Sequence, residues 1–288
     1  MSYSWKDLTL EELNNNFNPR IAVPNFEKIL KLEDNKDQKA RNKIPCQLDL
    51  RYGTKPLQTL DIFANPNLKN APVHIFIHGG YWRALDKNNH SHLSQPFVKY
   101  DIIYVSINYD LCPEISLDDI VKEIIDSIVW IYQNIKEYGG DPNNLNLSGH
   151  SAGAHLAAML ITIDWKKYNI DKKIFRSISL ISGIYEPEIV LKLPINKEIQ
   201  LTDKVAKNNN VLSRIPLIKD VLILVAVGSN EPVGWKNQSI KYYNFIKKYI
   251  ENTEYFEIDN SIHFSMISLL ANERSNITRK ILDLIIQL

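Results

Sequence analysis

The sequence predicts an α/β fold with a mostly parallel central sheet and helices on both faces. Three observations predict it. Short Ile- and Val-rich runs with polar ends recur along the chain, as strands buried on both faces of a parallel sheet do. Segments with helical apolar spacing separate them, and strand–helix alternation marks this architecture. The length, 288 residues, accommodates one large α/β domain or two small ones. We therefore expect residues 1–288 to form a single domain, with an N-terminal arm at 1–45 and a cap or insert region at about 185–220.

Taken in order, the arm is polar and rich in Asn, Lys and Glu, and reads as one or two short helices. Strands are expected at Leu60–Ala64, Val73–Ile77, Ile102–Ile107, Leu145–Leu147, Ile178–Ile181, Val221–Val227 and Tyr255–Ile258. Between them, Leu117–Tyr138 places Ile120, Ile124, Ile128 and Ile131 on one helical face. Ala152–Ile163 follows a strand directly. Lys236–Ile250 and Phe264–Leu288 are further amphipathic runs. Residues 185–220 break the alternation.

Composition excludes several functions. Lys and Arg number 34 against 33 Asp and Glu, a net charge of +1, so neither nucleic acid nor an anionic membrane would be held by bulk charge. Two cysteines, Cys46 and Cys112, make no disulfide framework, and no Cys/His spacing suggests structural zinc. The N-terminus has no apolar signal segment, and no apolar run reaches the roughly 18–20 residues a membrane span needs. A cytoplasmic protein acting on a small molecule is expected, with no cofactor; the reading leaves room for a homodimer. No GxGxxG or GxxxxGK[ST] sequence suggests a nucleotide site.

The sharpest local signal is Gly149-His150-Ser151-Ala152-Gly153, between the run Leu145–Leu147 and the small-residue helix start Ala154-His155-Leu156-Ala157-Ala158. A serine at a strand-to-helix turn is held in strained backbone with its hydroxyl exposed, and flanking glycines avoid collisions a Cβ would cause. The following helix aims N–H groups at the reaction centre. In chains that present a nucleophile this way, the acid and then the histidine follow it. Of seven histidines, only His155 and His263 follow Ser151. His155 lies on the same helix and reads as a buried packing residue; His150 reads as a packing or pocket-edge residue. His263 sits in a loop after the last strand, where sites assemble. Glu231 lies just past the strand Val221–Val227 and is the expected acid. Asp259, at the end of the last strand, is the alternative, while Asp220 is at the wrong end of its strand. The acid would accept the other imidazole N–H and stabilise the imidazolium.

His78-Gly79-Gly80-Tyr81-Trp82 follows the strand Val73–Ile77. The N–H groups of Gly79 and Gly80 would hold a developing oxyanion together with that of Ala152. Tyr81, Trp82 and Trp235 are candidate walls of a substrate pocket, the alternative for Tyr81 and Trp82 being core packing.

Together these residues resemble the α/β-hydrolase superfamily, and more narrowly its kynurenine formamidase (arylformamidase-like) branch, near the hormone-sensitive-lipase-type esterases. The resemblance spans nearly the whole chain. It runs from Asn18-Pro19-Arg20 and Ala22-Val23-Pro24 through His78–Arg83, Asn108–Glu114, Gly139–Pro142 and Ser148–Ala158 to Glu231–Trp235, Gln238-Ser239 and His263. Gly234 departs from the branch pattern, in which an acidic residue is common before the aromatic. The resemblance implies an α/β-hydrolase fold and metal-free hydrolysis of an N-formyl aryl amine such as N-formylkynurenine. A short-chain carboxylesterase is the alternative within the same chemistry. A non-catalytic binding module is the alternative outside it.

Overall fold

A computed structural model describes residues 4–23, 26–170 and 173–286. Residues 1–3, Pro24 of the Ala22-Val23-Pro24 motif, and Gln287 and Leu288 of the expected last helix lie outside the described residues.

Eight strands form one sheet in the order β1-β2-β4-β3-β5-β6-β7-β8. They are β1 Cys46–Arg51, β2 Thr59–Phe63, β3 Ala71–Ile77, β4 Ile103–Ile107, β5 Gly140–His150, β6 Phe175–Ile181, β7 Leu222–Gly228 and β8 Thr253–Ile258. The pairs β1/β2 and β2/β4 are antiparallel, and every later neighbour is parallel. This is the α/β-hydrolase fold. The seven expected strands are all present, each buried on both faces or nearly so until the β8 edge. β1 carries no apolar run. Its sequence CQLDLR is largely exposed, as suits an edge strand protected by charge and by a bulge between Gln47 and Leu50.

The pleat sends alternate residues into two cores, one on each face. Val73, Ile75 and Ile77 of β3 join the first, with the helices Leu117–Asn134 and Ala152–Leu160 and with Trp235 and Tyr242 of the helix Val233–Ile246. Phe76 joins the second, with Phe97, Met266, Ile277 and Ile281. The expected run from Phe264 is two helices, Ser265–Leu270 and Asn276–Ile286. Among the described residues no helix is long and apolar enough to cross a membrane.

The arm holds more helix than its polarity suggests. Leu10–Phe17 starts at a reciprocal cap: Thr9 Oγ1 accepts from Glu12 N (3.2 Å), and Glu12 Oε2 accepts from Thr9 N (2.8 Å). The 18-residue helix Phe26–Lys43 buries Glu33, Asp37 and Ala40. That face has helical spacing but is mostly carboxylate, so an apolar period does not reveal it. His92 receives both acids, Nδ1 at 2.7 Å from Asp37 Oδ1 and Nε2 at 2.7 Å from Glu33 Oε2. Residues 185–220 form short helical turns between β6 and β7, anchored by buried Ile189, Val190, Ile199 and Val211.

Candidate active site

The sheet's parallel strands end at a cleft of about 950 Å³ of empty space, part of it open to solvent, where Ser151, His150 and His263 meet Gly80 and Tyr81. Sites in parallel sheets collect at this end because the loops after successive strands converge there.

Ser151 follows β5 directly, with φ 57° and ψ −118°. That conformation costs a non-glycine residue on the order of 1–3 kcal/mol. Its N–H donates to Ile181 O (2.9 Å), and the surrounding glycines make it sterically feasible. A Cβ on Gly149 would lie 2.2 Å from Gly153 O, and one on Gly153 would lie 2.0 Å from Ile77 O. The two glycines therefore let the helix Ala152–Leu160 start hard against the end of β3. Its first N–H groups lie at the serine, where negative charge is favoured.

His263 and Glu231 come together from two loops. His263 Nδ1 lies 2.7 Å from Glu231 Oε2. The other oxygen, Oε1, accepts from the Ser182 hydroxyl (2.5 Å) and the Gly228 N–H (2.9 Å). The loops are tied to each other by Asn230 N–H to Ser261 O (3.0 Å) and Asn260 N–H to Ser229 Oγ (2.9 Å). Asp259, the other candidate acid, is exposed at the end of β8, and Asp220 pairs with Lys173 at the opposite end of β7 (2.9 Å). His150 packs beside His263 with ring centroids 4.7 Å apart. Burial first, then the charge of His263, holds His150 well below the ordinary histidine value, so it stays neutral. His155 is buried and bonded through Nε2 to Asn209 O (2.8 Å), and burial lowers its pKa to about 4.

The loop after β3 is pinned by its carbonyls. Tyr109 donates its hydroxyl to His78 O (2.8 Å), and the His78 ring bridges Gly79 O (2.9 Å) and Asn108 Oδ1 (3.2 Å). Among the described residues the N–H groups of Gly79, Gly80 and Ala152 have no acceptor. A Cβ on Gly79 would sit 2.9 Å from His150 O and 3.1 Å from Ser151 Cβ, so only glycine permits the loop to lie against the serine.

Two expected pocket walls are corrected. Trp82 does not line the cleft: it is fully buried, edge-on to His155 at 5.1 Å. Trp235 is also fully buried, and it backs the His263 ring at 4.3 Å. The reason lies in the backbone. Gly80, Tyr81 and Trp82 take positive φ in succession (102°, 54° and 58°), and non-glycine residues hold such angles only where packing over-determines them. Trp82 supplies that packing, and its carbonyl accepts from Cys112 N (2.8 Å). Tyr81 does line the cleft, with its hydroxyl donating to Phe17 O.

Sequence reasoning missed the arm's share of the site. Asn18, Pro19, Arg20, Phe26, Ile29 and Glu33 all line the cleft. Asn16 Oδ1 accepts from Gly234 N (2.9 Å), and a Cβ on Gly234 would lie 2.7 Å from Phe17 Cζ. The departure at Gly234 thus makes room for the arm. The signal available was Asn18-Pro19-Arg20, a motif far from the nucleophile in sequence.

The chain is similar to known proteins. Residues 60–210 match the BD-FAE family. The kynurenine formamidase of Salmo salar is 30% identical over 297 residues, covering 97% of this chain and 98% of that protein. That of Danio rerio is 28% identical, covering 98% of each. Esterase B of Lactobacillus rhamnosis superposes with a TM-score of 0.70 at 16% identity, covering 91% of this chain and 96% of that one; at that identity it speaks to the fold.

Proposed function

The chain belongs to the kynurenine formamidase family of α/β-hydrolases, and from that premise we propose the reaction and the residues that carry it. It is a serine hydrolase of arylformamidase type, cleaving an N-formyl aryl amine such as N-formylkynurenine to formate and the free amine. The observation that carries the assignment is the His263–Glu231 contact of 2.7 Å in the same cleft as Ser151 on its strained turn.

Ser151 Oγ attacks the formyl carbon as His263 Nε2 takes its proton. Glu231 accepts from Nδ1–H and so fixes the tautomer that leaves Nε2 unprotonated. The carbonyl oxygen becomes an anion held by the N–H groups of Gly79, Gly80 and Ala152, each such donor being worth about 3–4 kcal/mol. The C–N bond then breaks as His263 protonates the departing nitrogen, leaving a formyl ester on Ser151. Water, deprotonated by His263, attacks that ester; formate leaves and Ser151 recovers its proton. No step calls on a cofactor. Tyr81 acts as a wall of the substrate cleft, while Trp82 and Trp235 support the loop and the imidazole from behind.

A short-chain carboxylesterase is the second reading, favoured by the esterase fold likeness. Comparing kcat/KM for N-formylkynurenine with that for short acyl esters decides between them, and a large ester preference overturns the formamidase assignment. A cytoplasmic location and a homodimer belong to the same proposal; sedimentation of the purified chain tests the latter.

A further inference from the structure

A formyl donor places only a hydrogen on the acyl side of the carbonyl. The remainder of the cleft must therefore receive the leaving group. Its wall carries two arginines, Arg20 and Arg83. Arg83 lies three residues past Gly80, in a turn closed by Arg83 N–H to Gly80 O (3.1 Å). Its side chain is only 12% exposed. Nη1 donates to Glu198 Oε2 (2.7 Å), whereas Nε is buried without an acceptor. Buried guanidinium donors are normally paired, because an orphan gives up its bonds to water without replacement. The Nε–Nη2 edge is the face of a guanidinium that takes a carboxylate side-on through two parallel hydrogen bonds.

Arg20 reinforces the charge. It stands over the Phe26 ring, 4.8 Å from the centroid, and among the described residues it pairs with no carboxylate. Burial, and then the charge of Arg20, press Arg83 below its ordinary value against the pull of Glu198. The carboxylates on the same wall are committed elsewhere. Glu33 is held by Ser268 (2.6 Å), Lys36 (2.9 Å) and His92 (2.7 Å), and Asp34 accepts from Asn89 Nδ2 (3.2 Å).

We propose that Arg83, flanked by Arg20, forms an anion subsite that receives a carboxylate on the substrate's leaving group. The inference rests on the hydrolase reading of this cleft and deepens it: the favoured substrates are aryl formamides or aryl esters whose leaving group carries a carboxylate.

The test compares matched pairs. One pair is N-formylanthranilate and its neutral analogue formanilide. The other is 4-acetoxybenzoate and phenyl acetate. For each pair the readout is the ratio of kcat/KM, charged over neutral, in wild type, R83Q and E198Q. In wild type the charged member is preferred. R83Q lowers the ratio at least tenfold, mainly through KM. E198Q raises the ratio several-fold, because it removes a competing anion. Glu198 is 62% exposed at its side chain, so this second variant does not depend on R83Q folding. Equal losses on both members in R83Q, or a ratio unchanged or lowered in E198Q, overturn the subsite. A wild-type enzyme inert to both formamides sinks the formamidase reading alone, and the ester pair still decides the subsite.

Discussion

Replacing Glu231 by glutamine is the substitution whose outcome the geometry fixes most tightly. The side chains are isosteric, so packing is unchanged. What changes is the direction of one hydrogen bond. At Oε1 the carboxylate accepts from Ser182 Oγ–H (2.5 Å) and Gly228 N–H (2.9 Å). The backbone N–H can only donate, so the amide oxygen must occupy that position. The NH₂ group then stands where Oε2 stood, 2.7 Å from His263 Nδ1. It donates, so Nδ1 must be the lone-pair nitrogen and the ring proton moves to Nε2. In the proposed mechanism Nε2 is the atom that takes the Ser151 proton, and a protonated Nε2 cannot take it. A wrongly held tautomer of this kind costs about ten-thousand-fold in kcat, or about 5.5 kcal/mol in the transition state. The assay is steady-state hydrolysis of p-nitrophenyl acetate and N-formylkynurenine, with circular dichroism and a thermal melt confirming the fold. A loss under tenfold, or a larger loss in Asp259→Asn than in Glu231→Gln, would refute the reasoning.

Three further outcomes are expected. Ser151→Ala abolishes both turnover and labelling by a fluorophosphonate probe while leaving the melt in place; turnover near the wild-type rate would end the serine assignment. Gly234→Asp forces a Cβ to within 2.7 Å of Phe17, a fully buried ring on the arm, and costs about 1–3 kcal/mol, read as a lower urea midpoint with earlier proteolysis of the arm. His92→Gln leaves the buried Glu33 and Asp37 without their imidazolium and costs roughly 3–5 kcal/mol near pH 6. Against burial, the carboxylates of Asp37 and Glu33 beside its ring raise His92, so its contribution is full below the ordinary value of 6.5 and fades as pH climbs through the raised one. Glu33 is shifted the other way: its partners, His92 foremost, overcome burial and lower it to about 2. Its share is full above 4.5 and is lost as pH falls toward that value. Denaturant melts of wild type and variant at pH 3, 6 and 9 should show the gap widest at pH 6, and a pH-independent gap would refute the ion-cluster account.

The amino-acid sequence by itself determined the sheet and pointed to the turn at Ser151 and to the loops that carry Glu231 and His263. Seven strands were legible because burial on both faces demands unbroken Ile and Val, and that demand is local. The strained turn at Ser151 was legible because Gly149 and Gly153 sit at fixed offsets from it. β1 was not, since an exposed edge strand needs no apolar run, and the helix Phe26–Lys43 was not, since the face it buries is held by ion pairs and not by apolar area. Tertiary structure alone decided the rest. That Glu231 and not Asp259 meets His263 depends on how the loops after β7 and β8 are tied together. That Trp82 is buried behind the site depends on backbone angles with no signature in residue type, and that Trp235 backs His263 depends on how its helix packs against a distant loop. That Arg20, Phe26 and Glu33 reach a cleft built more than a hundred positions downstream depends on a long-range ion cluster at His92. Periodicity records what a segment requires of its own neighbours; which distant loops meet is set only when the whole chain has packed.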